Sequence, residues 1–341
     1  MCRQGDTPPL LSDLHLPPPG FASLAEGECE FTFNAQNREA SMDTLNTATE
    51  KKDIYEQITN QIVEAIEKGA SVGRLPWQKV DTSNCNLTPV NVASKKAYRG
   101  VNILSLWIAA ETKGYTTGLW ATYKQWQELG CQVRKGEKST LVVFWKFFDA
   151  EREEEELSEE AKQHRAVMAR GYSVFNAAQV EGFAQPEAAS ETGRIENAER
   201  FFSNLGASIR HGGNRAFYSP AHDFIQMPTF GQFDDPQSYY AVLSHEATHW
   251  TGAKERLNRE LAKQFGDEAY AAEELIAELG AAFLCAELSL CNQPRADHAG
   301  YIASWLKVLK NDKRAIFTAA SKAQVAVDWM REQQIQQQAA A

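Results

Sequence analysis

Isoleucines at positions 54, 58, 62 and 66 recur every fourth residue, which lays an apolar stripe along one face of a helix. That pattern predicts a helix from about Lys52 to Lys68, ended by Gly69. A loop carrying Pro76-Trp77 follows, then a helix over Asn102–Thr112 stopping near Gly114, and a short one near Tyr123–Leu129. The run Thr140–Phe148 is rich in β-branched and aromatic residues and predicts a strand, and strand character returns at Tyr172–Phe175. Between these two runs stand seven glutamates from Glu151 to Glu160, so the runs are expected to pair as a hairpin carrying an acidic insertion at about 150–168. Later, the short β-prone runs Ala216–Tyr218 and Phe224–Met227 flank Ser219–Asp223 and predict a second hairpin. Residues 1–50 hold Pro8-Pro9 and Pro17-Pro18-Pro19-Gly20 and show no periodicity, which predicts a disordered extension. Met42 opens a more orderly stretch and is a candidate native start. The expected architecture is α+β in two domains. A small α/β domain spans 51–185, a linker spans 186–190, and a mainly helical domain with a small sheet spans 191–341.

The second half carries the candidate chemistry. In His245-Glu246-Ala247-Thr248-His249 the two histidines are four apart, so on a helix both imidazoles face one metal ion. Glu246 between them is placed to act as general base on a water at that ion. Tyr240, Val242 and Leu243 precede the motif and Trp250-Thr251-Gly252 closes it, as expected of a buried helix. A catalytic zinc takes three protein ligands, and a third is sought on the helix predicted over Ala271–Leu284. Its small apolar surroundings suit carboxylates only where something compensates their charge. Glu274 and Glu278 are four apart on one face. We assign Glu274 as ligand and Glu278 as the hydrogen-bond acceptor behind a ligand histidine, with the reverse as the alternative. Glu273 is expected to point elsewhere, into solvent. Zinc is the expected ion, and manganese or another divalent ion suits the same ligands. His211, in a glycine-rich turn with Arg210 and Arg215, is read as a substrate-side or structural residue. His298 and Tyr301 precede an amphipathic helix bearing Trp305, Leu306 and Leu309, and packing is the preferred role for both over oxyanion stabilisation.

Composition narrows the class. With 43% hydrophobic and 23% charged residues the chain is an ordinary globular one. No apolar run approaches the roughly 20 residues needed to span a bilayer, and no basic-then-apolar leader opens the chain. The six cysteines (2, 29, 85, 131, 285 and 291) form no CxxC pair, which predicts free thiols in a reducing, cytoplasmic setting. The net charge of −10 is unevenly spread: residues 51–149 carry fourteen Lys/Arg against nine Asp/Glu. One basic module in an acidic chain points to a polyanion partner.

That module interleaves aromatic rings with cations and amides, a composition suited to single-stranded nucleic acid. Trp77 stands with Lys79, Arg99 with Asn102, Trp120 with Lys124 and Trp126, and Arg134, Lys135 and Lys138 form a turn read as a hairpin loop. Rings stack on unpaired bases and cations neutralise phosphates. The alternative is that the tryptophans are core and the lysines a solvated face.

Several of these segments carry a resemblance. Tyr98-Arg99-Gly100-Val101-Asn102, Trp120-Ala121-Thr122-Tyr123-Lys124-Gln125 and Gly130–Lys138 resemble the N-terminal domain of the ArdC-type antirestriction proteins. Arg210–Tyr218, Asp223–Pro228, the His245–His249 motif and the Glu274–Phe283 helix resemble the same family's C-terminal half, so the likeness covers about residues 50–335. It implies a single-stranded DNA-binding domain fused to a zincin-like metallopeptidase domain with a glutamate third ligand, which agrees with Glu274. Such proteins protect incoming conjugative plasmid DNA from host restriction. The partners it implies are single-stranded DNA and a protein or peptide substrate. A peptidase cleaving a DNA-bound or restriction-system protein, with DNA binding only for targeting, is the alternative reading.

Overall fold

The isoleucine stripe forms helix α1 (Ile54–Ala70), and Ile58, Ile62 and Ile66 are fully buried. The Asp53 side chain caps it by accepting from the Tyr55 N–H. Gly69 does not end the helix. A Cβ there would lie 2.1 Å from the Arg74 carbonyl oxygen, so glycine is kept by close backbone approach. The computed structural model describes residues 53–71, 74–78, 88–147, 167–184, 194–259, 268–291 and 299–340. The N-terminal extension, Lys79, the acidic segment, the linker expected at 186–190 and His298 lie outside the described residues.

The first half builds a four-stranded sheet in the order β1-β2-β5-β4, from β1 (Val90–Asn91), β2 (Leu119–Thr122), β4 (Thr140–Phe147) and β5 (Val167–Asn176). β1 runs parallel to β2, and the other pairs are antiparallel. The two β-prone runs do pair, from Thr140 opposite Val174 to Phe147 opposite Val167, so β5 begins five residues earlier than its sequence signal. Helix α2 (Val101–Lys113) ends at Gly114, whose φ of 70° is left-handed. Buried Asn102 on α2 covers the edge of β4, donating to the Val143 carbonyl and accepting from its N–H, both at 2.7 Å. Helix α3 (Tyr123–Glu128) opens with a capping box between Thr122 and Gln125. The Arg134–Lys138 turn is not a hairpin loop, because β3 (Gln132–Val133) pairs with β6 (Val180–Glu181) rather than with β4.

In the second half α4 (Arg194–Ser203) leads to a three-stranded sheet ordered β7-β9-β8. β8 (Phe217–Ser219) and β9 (Phe224–Met227) form the expected antiparallel hairpin. β7 (Ser208–His211) joins them in parallel and was not evident from the sequence. Both β8 and β9 pack against α5 (Pro236–Thr251), the motif helix, which Asp235 caps through the Ser238 N–H. Helix α6 (Glu268–Glu287) lies between α5, α7 (Ala299–Asn311) and α8 (Ala315–Ala340). Most of its described side chains are apolar or small and buried, with Glu273, Glu274 and Glu278 buried among them. None of the described helices is long and apolar enough to cross a membrane.

Residues 51–341 cluster as one unit. A single core joins Trp77, Trp107 and Val143 from the first half to Leu275, Phe283 and Ile316 from the second. The Trp107 and Phe283 rings sit 5.9 Å apart across the junction. Cysteines 131 and 285 are free and buried, but Cys291 is disulfide-bonded, contrary to the expectation of six free thiols.

Helices α5 and α6 approach closely at Gly280. A Cβ at Gly280 would meet Thr248 Cγ2 at 2.5 Å and Oγ1 at 2.7 Å. Gly280→Ala is therefore expected to destabilise the fold by about 1–3 kcal/mol, read as a lowered urea midpoint. Adding Thr248→Ala removes both clashing atoms and is expected to recover part of the loss. An unchanged midpoint for the single variant would contradict this packing.

Candidate metal centre

One turn of α5 separates His245 from His249, and their Nε2 atoms lie 3.2 Å apart. Glu274 on α6 meets both: Oε2 is 3.5 Å from His245 Nε2 and Oε1 is 3.5 Å from His249 Nε2. The three ligand atoms lie within 4.8 Å of one another, the one such convergence of His, Cys, Asp or Glu among the described residues. Bonds of about 2.0–2.1 Å to a tetrahedral ion set ligand atoms roughly 3.3 Å apart. The observed separations fit that figure, so these residues suit a divalent cation. Burial opposes charge on Glu274, but hydrogen bonding to His245 and the charge of both imidazoles outweigh it and hold the carboxyl at about 2. Glu246 is buried on α5 between the two histidines.

Behind each imidazole stands a second carboxylate. Glu278 Oε2 is 3.6 Å from His245 Nδ1. Glu273 Oε1 is 3.3 Å from His249 Nδ1, which corrects the expectation that Glu273 faces solvent. The side chain adjacent to Glu274 turns toward α5, although Ala269 and Ala272 on the same helix are partly exposed. Arg259 neutralises it, with Nη2 2.9 Å from Oε1 and Nε 3.2 Å from Oε2. Burial raises the Glu273 carboxyl, but His249 and Arg259 win and lower it. The largely apolar character of 271–284 was the available signal, since a carboxylate there has to find an internal partner.

The carboxylate behind His245 is held from the other half of the chain. Glu278 Oε1 accepts from Trp77 Nε1 at 3.2 Å and from Gln78 Nε2 at 3.0 Å. Trp77 is thus a buried donor to the centre and has no face available to a base. Tyr270, one turn before Glu274 on the same face of α6, hydrogen-bonds that carboxylate and lies 3.3 Å from the Tyr301 hydroxyl. Burial and those partners push the Tyr270 phenol upward, so it stays protonated. Tyr301 also stacks on Trp305. His211 Nε2 lies 2.9 Å from the Tyr239 hydroxyl and is not part of the centre.

Among the described residues, the nucleic-acid candidates of the first half differ in exposure and partners. Trp120 and Trp126 are fully buried, so like Trp77 they are core and cannot stack on bases. Asn102 is occupied at the β4 edge. Arg99 pairs with Asp328, and Lys124 lies 3.7 Å from Glu128 while remaining exposed. The Arg134 guanidinium is tied to Glu137 and to the Ala178 carbonyl. Lys135 and Lys138 are exposed.

Comparison with known proteins agrees with this arrangement. Residues 52–175 match the N-terminal domain of anti-restriction factor ArdC, and residues 196–322 match a zincin-like metallopeptidase domain. The chain is 54% identical over 297 residues to the protein y4eC of Sinorhizobium fredii, covering 86% of this chain and 96% of that one. It is 36% identical over 308 residues to the DNA primase TraC of Escherichia coli, covering 84% of this chain but 28% of the primase. The crystal structure of the antirestriction protein ArdC from plasmid R388 superposes with a TM-score of 0.66 at 38% identity, covering 82% of this chain and 97% of that one. Its Mn(II)-bound form gives 0.65 at 39% identity, with 82% and 98% covered. The chain belongs to the ArdC-type antirestriction family, an ArdC N-terminal domain joined to a zincin-like metallopeptidase domain.

Proposed function

We propose that this protein binds single-stranded DNA through its first half, protects incoming plasmid DNA from restriction, and carries a metallopeptidase centre in its second half. In this reading His245, His249 and Glu274 hold one divalent ion. The observation that carries it is the set of ligand separations of 3.2 and 3.5 Å. Zinc suits two imidazoles and a carboxylate. A manganese ion is what the solved relative contains, and the same donors accept it. Such an ion supplies Lewis acidity to a water and to a peptide carbonyl. The remaining work falls to the chain itself. Glu246 takes a proton from the attacking water and returns it to the leaving amine. Glu273 and Glu278 fix the ring orientations of His249 and His245. Among the described residues β8 is an edge strand packed on α5, where an extended peptide would pair by strand addition. For the DNA-binding half, the excess of Lys/Arg over Asp/Glu in 51–149 supports a polyanion partner, and the name of the R388 relative supports antirestriction as the outcome.

Two outcomes test the centre. Glu246→Gln is expected to lower hydrolysis of a casein-derived peptide mixture by at least about 10²-fold, the low end for losing a general base, with metal content unchanged. Cleavage at the wild-type rate would remove Glu246 from its role. Trp77→Phe deletes the indole donor to Glu278 and is expected to weaken metal affinity about 10–100-fold, measured by competition with a chelator. Unchanged affinity in a variant that still folds would show that the contact across the two halves does not support the centre.

A further inference from the structure

The buried tryptophans leave the base-stacking expectation without its rings, but the sheet supplies others. Opposite residues on antiparallel strands share a face, so Trp120, Val174, Val142, Tyr172, Phe144 and Arg170 lie on one side of it. One end of this face is buried under Tyr98 and Leu106. The other end is open, with Phe144 49% and Tyr172 37% exposed. Their rings are 5.5 Å apart, nearly perpendicular, and Arg170 caps Tyr172 at 5.4 Å. Single large apolar side chains on a surface need no explanation, but here two adjoin a cavity of about 550 Å³. That volume falls within the range of small-ligand sites, roughly 300–1,000 Å³.

The chemistry of the lining is selective. Tyr98, 6.4 Å from Phe144, closes one wall. Gln125 lies in another wall, and its Oε1 accepts from Asn91, Thr122 N–H and the Thr122 hydroxyl. Among the described residues its amino group has no partner, so it remains free to donate into the cavity. None of the described lining residues is acidic, and of the two cations that line it, Arg99 pairs with Asp328 while Lys96 is exposed. Lys96 is exposed and has no carboxylate partner among the described residues. Flat rings, an unengaged amide, and the nearby cations Lys96 and Arg170 complement a base joined to phosphates, whereas an apolar peptide would leave those two cations unmatched.

We propose that this cavity receives one unstacked nucleobase of a single-stranded DNA segment, held on Phe144 and Tyr172, with Gln125 at its edge and Lys96 and Arg170 on the adjoining phosphates. The inference rests on the single-stranded DNA reading above and places its contact on strands β4 and β5, away from the metal centre. The rings supply the preference for bases over bare backbone, and the cations supply the salt dependence.

The full chain is titrated with labelled oligothymidylate long enough to span a single-strand site of roughly 4–16 nucleotides. A second titration uses an abasic strand of the same length. The wild type is expected to bind thymidylate about tenfold or more tightly than the abasic strand, because only the former offers bases to the two rings. Phe144→Ala with Tyr172→Ala is expected to abolish that preference while leaving abasic binding unchanged, and Phe144→Tyr with Tyr172→Phe to retain it. A double-alanine variant that keeps the preference overturns the pocket and leaves the single-strand reading standing. Equal wild-type affinity for both strands also overturns the pocket, in favour of phosphate contact alone. Wild type binding neither strand overturns both. Should the alanine variant melt early, photocrosslinking of the wild type to 5-iodouracil DNA decides. Adducts on Phe144 or Tyr172 support the pocket, and adducts confined elsewhere overturn it.

Discussion

A carboxylate buried in an apolar helix needs a partner, and three on α6 find theirs within two turns. Glu273, Glu274 and Glu278 are each at most 9% exposed, and isolated charges at that depth would cost several kcal/mol each. Arg259 and His249 compensate the first, and both histidines compensate the second. The third faces His245 and accepts two hydrogen bonds from Trp77 and Gln78. These contacts hold α5 and α6 in one register and fix where the imidazoles point. Gly280, with no side chain, lets the two helices approach closely enough for the contacts to form.

This constraint also ties the two domains into one compact unit over residues 51–341. The donors to Glu278 come from the loop after α1, so the first half completes the polar surroundings of His245 in the second. Around that junction the apolar core is continuous from α1 and α2 to α6 and α8. The proposed base pocket lies on the sheet face and shares none of the metal-centre residues, so the two proposed activities are chemically separate while their scaffold is common.

Much of this was legible in the sequence where period and chemistry agree. The isoleucine stripe located α1, the two β-prone runs located the β4–β5 pairing, and histidines four apart located α5. Glu274 followed from the need for a third donor on a helix too apolar to leave a carboxylate unpaired. Glu273 was not legible in the same way, because its partners Arg259 and His249 stand 14 and 24 residues away along the chain. Interleaved rings and cations misled in the first half, because that composition looks alike whether a ring faces solvent or core. Strand alternation separates the cases: Phe144 and Tyr172 lie at the open end of a sheet face whose other end buries Trp120. Trp77 lay in a loop without periodicity, and its partner is 201 residues away, so no local pattern could reveal its role.

The central claim is that two imidazoles and one carboxylate from α5 and α6 share a single cation. X-ray absorption spectroscopy on the zinc-loaded full chain tests it most directly. The account predicts one ion per chain in a nitrogen and oxygen environment at about 2.0–2.1 Å, with the multiple-scattering signature of two imidazoles. A sulfur shell, fewer than two imidazoles, or an unaltered spectrum after His245→Ala would contradict it.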